Sequence, residues 1–290
     1  MSSPHVLFAG RATLDAVYFL DSLPAEDTKI FARAFRIAPG GPACNAAITH
    51  ATLGGRATLL TAVGRGPAAE ILRSELERRA ISLIDLAADT DYETPLTTVL
   101  VNSKAATRTI VNPPAAKLQI APLPGGWPTN WGARPQMVLT DGFYLEETLP
   151  LLAALREAGC PVSFDGGSWK PGTERLAPLL TVAICSERFA VPGAPADSDA
   201  TMAWFAGHGV PCAAVTRGQR PILAADRGRR FEVEIERVEA VDTLGAGDVL
   251  HGAFCFHFAA GHDFEDSLWR AAAIATHSCC GQGIAAWAEG

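Results

Sequence analysis

Short runs of consecutive apolar residues, rich in β-branched side chains, recur along the chain at 6–9, 57–63, 137–140, 162–164, 181–185 and 212–216. Runs without polar alternation suit strands covered on both faces, as in a parallel sheet packed between helices. Helix-length amphipathic segments stand between most of them. Within 68–80, Ile71, Leu72 and Leu76 are set among charged residues, and 149–158 and 200–208 read similarly. The alternation predicts an α/β fold with a mostly parallel central sheet. Two regions break the rhythm. Residues 13–20 and 29–37, and again 95–101 and 107–111, read as strands with mixed faces and no helix between them. They predict a small antiparallel β lid, formed by about 11–38 and 94–113, standing off the main sheet. The Pro/Gly-rich stretch 113–132 reads as a loop around one short element. No repeat or linker divides the sequence, so residues 1–290 are expected to form a single domain carrying that lid.

Composition narrows the function classes. The 290 residues are 48% hydrophobic and 19% charged, enough apolar character for a sizeable core without staples. A net charge of -7 argues against nucleic acid or a membrane surface as partner, since both favour a basic face. No apolar stretch approaches the roughly 20 residues of a membrane span. The N-terminus has no basic n-region, and only 6–9 follow as an apolar run. Seven scattered cysteines with no Cys-x-x-Cys pair form neither a disulfide framework nor a zinc spacing, and a reducing cytoplasm is expected.

Two glycine motifs carry the chemistry. Val241-Asp242-Thr243-Leu244-Gly245-Ala246-Gly247-Asp248 runs into the apolar, helix-prone 249–260. The Gly-Ala-Gly run then falls at a helix N-terminus, where free N–H groups and the helix dipole favour an anion. Asp248, in the first turn, would sit beside that anion, suited to take a proton from an alcohol attacking a phosphoryl group. Read alone, the same residues also suit an ordinary turn with a first-turn acid. The second motif, Pro39-Gly40-Gly41-Pro42-Ala43-Cys44-Asn45, runs into the helical 46–53. It suits a polar ligand held by backbone N–H groups and Asn45, or a loop using Pro and Asn as plain helix-start signals.

Together, Gly40-Gly41-x-x-x-Asn45 and Asp242-Thr243-x-Gly245-Ala246-Gly247-Asp248 resemble the two signatures of the ribokinase-like (PfkB) carbohydrate kinase family. Their order, their separation of roughly 200 residues and the chain length all fit. The resemblance implies a three-layer ribokinase-like fold and an ATP-dependent sugar kinase. It makes Asp248 the catalytic base and the amides of Gly245, Ala246 and Gly247 the hold on the transferring phosphoryl group. Asp15, after the first strand, matches the family's sugar-binding Asp, with Gly40, Gly41 and Asn45 completing that site. Thr216 and Gly218 resemble the family's nucleotide-facing turn, although Pro221 replaces its second glycine. Cys280-Gly281-Gln282-Gly283 falls where the family closes over adenine, and His277 is placed to line it. Asp242 and Thr243 lie where some relatives coordinate K+. Mg2+ is implied with the ATP phosphates.

Departures from the family bear on the substrate. The usual Asn-x-x-Glu is Ser186-Glu187-Arg188-Phe189 here, leaving Glu187 as a substitute near the phosphates. The serine resembles the ketohexokinase and sulfofructose kinase branches, and stretches such as 24–27 and 108–111 resemble the former. In the former, lids of two subunits clasp, and Asp27 falls where an Asp reaches the partner's sugar; a homodimer through the lid is implied. Pro42 stands where ketohexokinases use an Asn that touches sugar. Lys29 and Asn112 could serve the sulfonate that the sulfofructose branch would need to hold, while Phe143 takes the place of that branch's arginine. The expected acceptor is a ketose or furanose-like sugar. The alternatives are a nucleoside kinase, with Phe31, Phe35 or Phe143 in a base pocket, and a non-catalytic sugar- or nucleotide-binding relative. The first strand is followed by Gly10-Arg11-Ala12-Thr13-Leu14-Asp15, not Gly-x-Gly-x-x-Gly, which argues against a dinucleotide-binding dehydrogenase.

Overall fold

The computed structural model describes residues 3–105, 107–114, 118–195, 197–281 and 283. Strand β1 (His5–Ala9) is buried along its whole length. Val6 and Phe8 point into one apolar core and Leu7 and Ala9 into another, as period-two side chains on a sheet covered on both faces must. In spatial order the nine-stranded sheet reads β13 (Arg229–Val233), β12 (Arg220–Asp226), β11 (Cys212–Arg217), β10 (Val182–Ser186), β9 (Val162–Gly166), β8 (Met137–Thr140), β1, β4 (Arg56–Thr61) and β5 (Ser82–Asp85). All neighbours are parallel except the pairs β11–β12 and β12–β13 at one edge. One face is covered by α1 (Pro42–Thr52), α2 (Pro67–Arg78), α6 (Ala246–Ala259) and α7 (Phe264–Ser278), the other by α3 (Leu145–Glu157), α4 (Thr173–Leu176) and α5 (Ser198–Gly207).

The chain order fixes where a ligand can sit. After β1 the main sheet grows through β4 and β5 on one side, and the chain then crosses to β8 on the other side of β1. The crevice at the carboxyl ends of β1 and β8 is therefore the topological switch point, the usual binding position of open α/β sheets.

Above it stands a second sheet of four strands, in the order β3 (Ala34–Gly40), β2 (Thr13–Leu20), β6 (Leu96–Asn102), β7 (Thr107–Val111). The outer pairs are antiparallel, as the sequence pattern predicts, but the central β2–β6 pair is parallel. The reason is connectivity: the two pairs are separated by α1, β4, α2 and β5, which return the chain to the end where it began. The strand read at 29–37 lies instead at Ala34–Gly40; Ile30 and Phe31 are exposed and lie outside the strand. Val17, Phe19, Val99 and Val101 form a small core on one face, with Leu244 packed against it. Among the described residues no helix is long and apolar enough to cross a membrane, and all seven cysteines are free thiols.

Candidate active site

The carboxyl end of β8 delivers Asp141 into the crevice. Its side chain is 1% exposed. Oδ2 accepts from the N–H groups of Arg11 (2.8 Å) and Ala43 (3.2 Å), and Oδ1 from that of Phe143 (2.9 Å). One carboxylate thus ties the exit of β1, the first turn of α1 and its own loop together. At the start of α1, Gly41 has φ 91, and a Cβ there would lie 2.5 Å from the Arg11 carbonyl oxygen, so only glycine fits. A Cβ on Gly40 would overlap the Asp15 carboxylate; the missing side chain is what gives Asp15 its place.

Helices α1 and α6 meet closely at Gly252. A Cβ there would overlap the Ala46 carbonyl oxygen and lie 2.7 Å from Thr49 Cβ. One turn earlier on both helices, the same approach brings Asn45 Nδ2 to 2.6 Å from Asp248 Oδ2, where it donates. Asn45 Oδ1 is buried and accepts no bond among the described residues. Gly245, with φ 76, caps the start of α6, and no side chain caps that end. A Cβ on Gly247 would meet nothing within 4 Å outside its own helix among the described residues, so packing among them gives no reason for that glycine. The N–H groups of this turn are left free to face an anion.

Between the two sheets lies a cavity of about 640 Å³, bordered by Asp15, Asn45, Asn112, Gly247, Asp248 and Phe143 among others. Asp15 faces it from β2, where Thr13 Oγ1 donates to Oδ1 at 2.6 Å. Asn112 Oδ1 accepts from Thr97 Oγ1 at 3.1 Å. Burial pushes the Asp248 carboxyl up to about 7, and the charges of Asp165 and Asp141 act in the same direction; the Asn45 hydrogen bond and His251 pull it back. Burial also raises Asp15, against the Thr13 bond and the Arg11 charge, and lifts Asp141 to about 6. Behind Asp248, His251 Nε2 stands 3.2 Å from Asp165 Oδ1. Burial disfavours both charges, yet their attraction outweighs it: Asp165 is held below its ordinary value and His251 above.

The model of the pfkB family carbohydrate kinases matches residues 3–288. The chain belongs to the pfkB carbohydrate kinase family. It is 25% identical to deoxyribokinase of Salmonella typhi, over 94% of this chain and 92% of that one. To aminoimidazole riboside kinase of Salmonella typhimurium it is 26% identical, over 84% and 80%. Its fold matches that of Arabidopsis thaliana ribokinase, solved with ribose and ATP, with a TM-score of 0.75 at 20% identity, covering 98% of this chain and 94% of that one. The fold is ribokinase-like, and the protein is a carbohydrate or nucleoside kinase, a phosphotransferase with a hydroxyl acceptor.

Of the residues expected from the pfkB signatures, Asp15, Gly41, Asn45, Asn112, Gly245, Gly247, Asp248 and Gly283 border one cavity. Gly40 backs Asp15 and Ala246 lies in the first turn of α6. The other residues do not line this cavity, although Asp242 and Thr243 bond residues that do. Thr216 is the penultimate residue of β11 and lies beside Glu187, whose N–H donates to the Thr216 carbonyl at 3.0 Å. The Glu187 carboxylate is paired with Arg220, and Gly218 turns the chain from β11 to β12 with φ 64. His277 is exposed near the end of α7, followed by Gly281. Gln282 lies outside the described residues. Asp27 is exposed with φ 55 in the segment between β2 and β3, away from the cavity of its own chain. Asp242 accepts from the N–H groups of Leu244 (2.9 Å) and Gly283 (3.2 Å), and Thr243 Oγ1 accepts from Arg108 at 3.2 Å.

The signatures alone miss Asp141, Asp165, His251, Arg11 and Lys170. Two leave a trace: Asp141-Gly142 and Asp165-Gly166 place a carboxylate and a glycine at the ends of apolar strand runs, where ligands of parallel sheets sit. His251 lies three residues after Asp248, on the same helix face.

Proposed function

We propose that the protein transfers the γ-phosphoryl group of Mg-ATP to a hydroxyl of a small ketose or furanose-like sugar. Asp248 acts as base, and the amides of Gly245, Ala246 and Gly247 act as the anion hole. The observation that carries this reading is the shared cavity: a carboxylate poised near neutrality, an uncapped helix N-terminus and a second carboxylate, Asp15, all facing one space. The acceptor lies over Gly40 and Gly41, with two hydroxyls on Asp15 and others on Asn112 and the unused Asn45 Oδ1. Asn45 engages one oxygen of Asp248 and leaves the other to take the proton from the attacking hydroxyl. Phosphoryl transfer asks mainly for positioning and charge stabilisation, and the α6 amides supply both at the transferring group.

A triphosphate fits the open end of α6, which has neither a side-chain cap nor a Cβ at Gly247. Thr216, Gly218, Glu187, His277, Gly281 and Gly283 are assigned to the nucleotide side. Mg2+ bound to the phosphates neutralises their charge. K+ near Asp242 and Thr243 belongs to the same reading. The small sheet is the lid of one kinase domain and the contact of a homodimer, in which Asp27 approaches the partner's sugar. Phe143 in the cavity keeps a nucleoside acceptor as the second reading, in line with the similarity to aminoimidazole riboside kinase.

The test is ADP release with Mg-ATP against fructose, tagatose, psicose, ribose, 2-keto-3-deoxygluconate, sulfofructose and several nucleosides, with and without K+. Turnover of a sugar supports the reading. Turnover of nucleosides alone moves the protein to the second reading, and ATP binding without any turnover contradicts both.

A further inference from the structure

The cavity holds more guanidinium groups than a neutral sugar can use, and they differ in how they are engaged. Arg78 and Arg79 share the carboxylate of Glu75. Arg108, on β7, donates to Thr243 and so belongs to the end beside the α6 N-terminus. Arg11 is different. Its backbone N–H is pinned by Asp141, and its guanidinium lies 5.2 Å from the centre of the Phe143 ring. Among the described residues no carboxylate oxygen comes within 4.0 Å of it. Lys170 Nζ lies 4.7 Å from the same ring centre, a second positive charge beside Phe143.

Arg11, Thr13 and Asp15 are alternate residues entering β2, and all three border the cavity. At period two they share one face of the extended chain. The acceptor end is therefore edged by a carboxylate suited to hydroxyls and, four residues earlier, a guanidinium with no carboxylate oxygen within 4.0 Å among the described residues. A guanidinium held beside an aromatic ring keeps its N–H groups free to receive a planar anion in two parallel bonds.

We infer that the acceptor carries a carboxylate, held by Arg11 against Phe143, so that the substrate is a sugar acid of the 2-keto-aldonate type. The inference rests on the kinase reading above and narrows its substrate class. Hydroxyls go to Asp15 and the carboxylate to Arg11, which orients the molecule end to end across the cavity. A neutral ketose has no group that satisfies Arg11 equally well, since a bond between two charged groups is stronger than one to a hydroxyl.

The experiment compares acceptors that differ only in the anion. With Mg-ATP and the full chain, kcat/KM is measured for fructose and for 2-ketogluconate, which replaces its C1 hydroxymethyl by carboxylate. Fructose 6-phosphate and sulfofructose serve as other anions. The acid is expected to exceed fructose by at least about tenfold. In Arg11→Gln that preference should fall by roughly 10- to 100-fold, chiefly through KM of the acid, with Arg11→Lys in between. Melting curves check that both variants fold.

Preference for fructose overturns the inference and leaves the kinase reading standing. A phosphate or sulfonate acceptor outpacing the carboxylate overturns the carboxylate assignment. Equal losses on acid and neutral sugar in Arg11→Gln, or a rise in KM for ATP alone, overturn the role of Arg11. No turnover of any sugar, charged or neutral, contradicts the kinase reading itself.

Discussion

As the proposed base, Asp248 must lose its proton before it can accept one from the acceptor, so its raised pKa has a definite sign in the rate. With the carboxyl near 7, kcat/KM should rise about tenfold per pH unit below neutrality and level off above it. A pH–rate profile from 5.5 to 9 reads this directly. The Asn45 amide favours the charged form of Asp248, so Asn45→Ala should move the acidic limb to higher pH as well as lower the rate. An unmoved limb would remove Asn45 from the ionisation of the base. At this scale the sequence was legible where glycines flag the chemistry, as for Asp248, Asn45 and Asp15. The Asp165–His251 pair was not, because its members lie 86 positions apart and meet only when α6 packs on β9. Asp141 was missed for a similar reason: its three bonds go to backbone N–H groups from three separate segments, and no local spacing encodes them.

Between elements, the contact of α1 with α6 carries the site. Gly252→Ala would force the helices apart at Ala46 and Thr49, and the Asn45–Asp248 bond one turn away would lengthen. The expected outcome is a loss of about 1–3 kcal/mol in stability together with a fall in kcat. Thermal melts and steady-state kinetics on one preparation would check both. Away from the site, Asp197 caps α5 by accepting from the Ala200 N–H at 2.7 Å, and Asp197→Ala should cost about 1 kcal/mol with kcat unchanged. Buried strands were legible as unbroken apolar runs. The β12–β13 hairpin was not, because these two strands at one end of the sheet carry Arg, Asp and Glu among their apolar residues; its one clear signal is Arg227-Gly228, with φ 46 and 88. Ile30 and Phe31 drew the predicted second lid strand too early, since apolar character marked a strand where the chain is exposed.

For the molecule as a whole, the crossing from β5 to β8 opens the crevice and the small sheet covers it. That sheet also carries Phe35, Ile37, Leu96, Ile110 and Val111 exposed, and Tyr18 packs on Phe35 with ring centres 4.8 Å apart. If this surface joins two copies, light scattering should give twice the 30.5 kDa chain mass, and Phe35→Asp with Ile110→Asp should halve it. A monomeric parent protein would contradict the clasp. The α/β class, the two glycine motifs and their meeting at one cavity were all legible in advance, whereas the placing of Arg11 and Lys170 beside Phe143 required the fold. The central claim is that Asp248 is the base of a phosphoryl transfer, and Asp248→Asn tests it most directly. Measured on the best acceptor, kcat should fall by at least about 10²-fold while the melting curve and ATP binding stay near those of the parent. A variant that folds, binds ATP and turns over near the parent rate would contradict the mechanism.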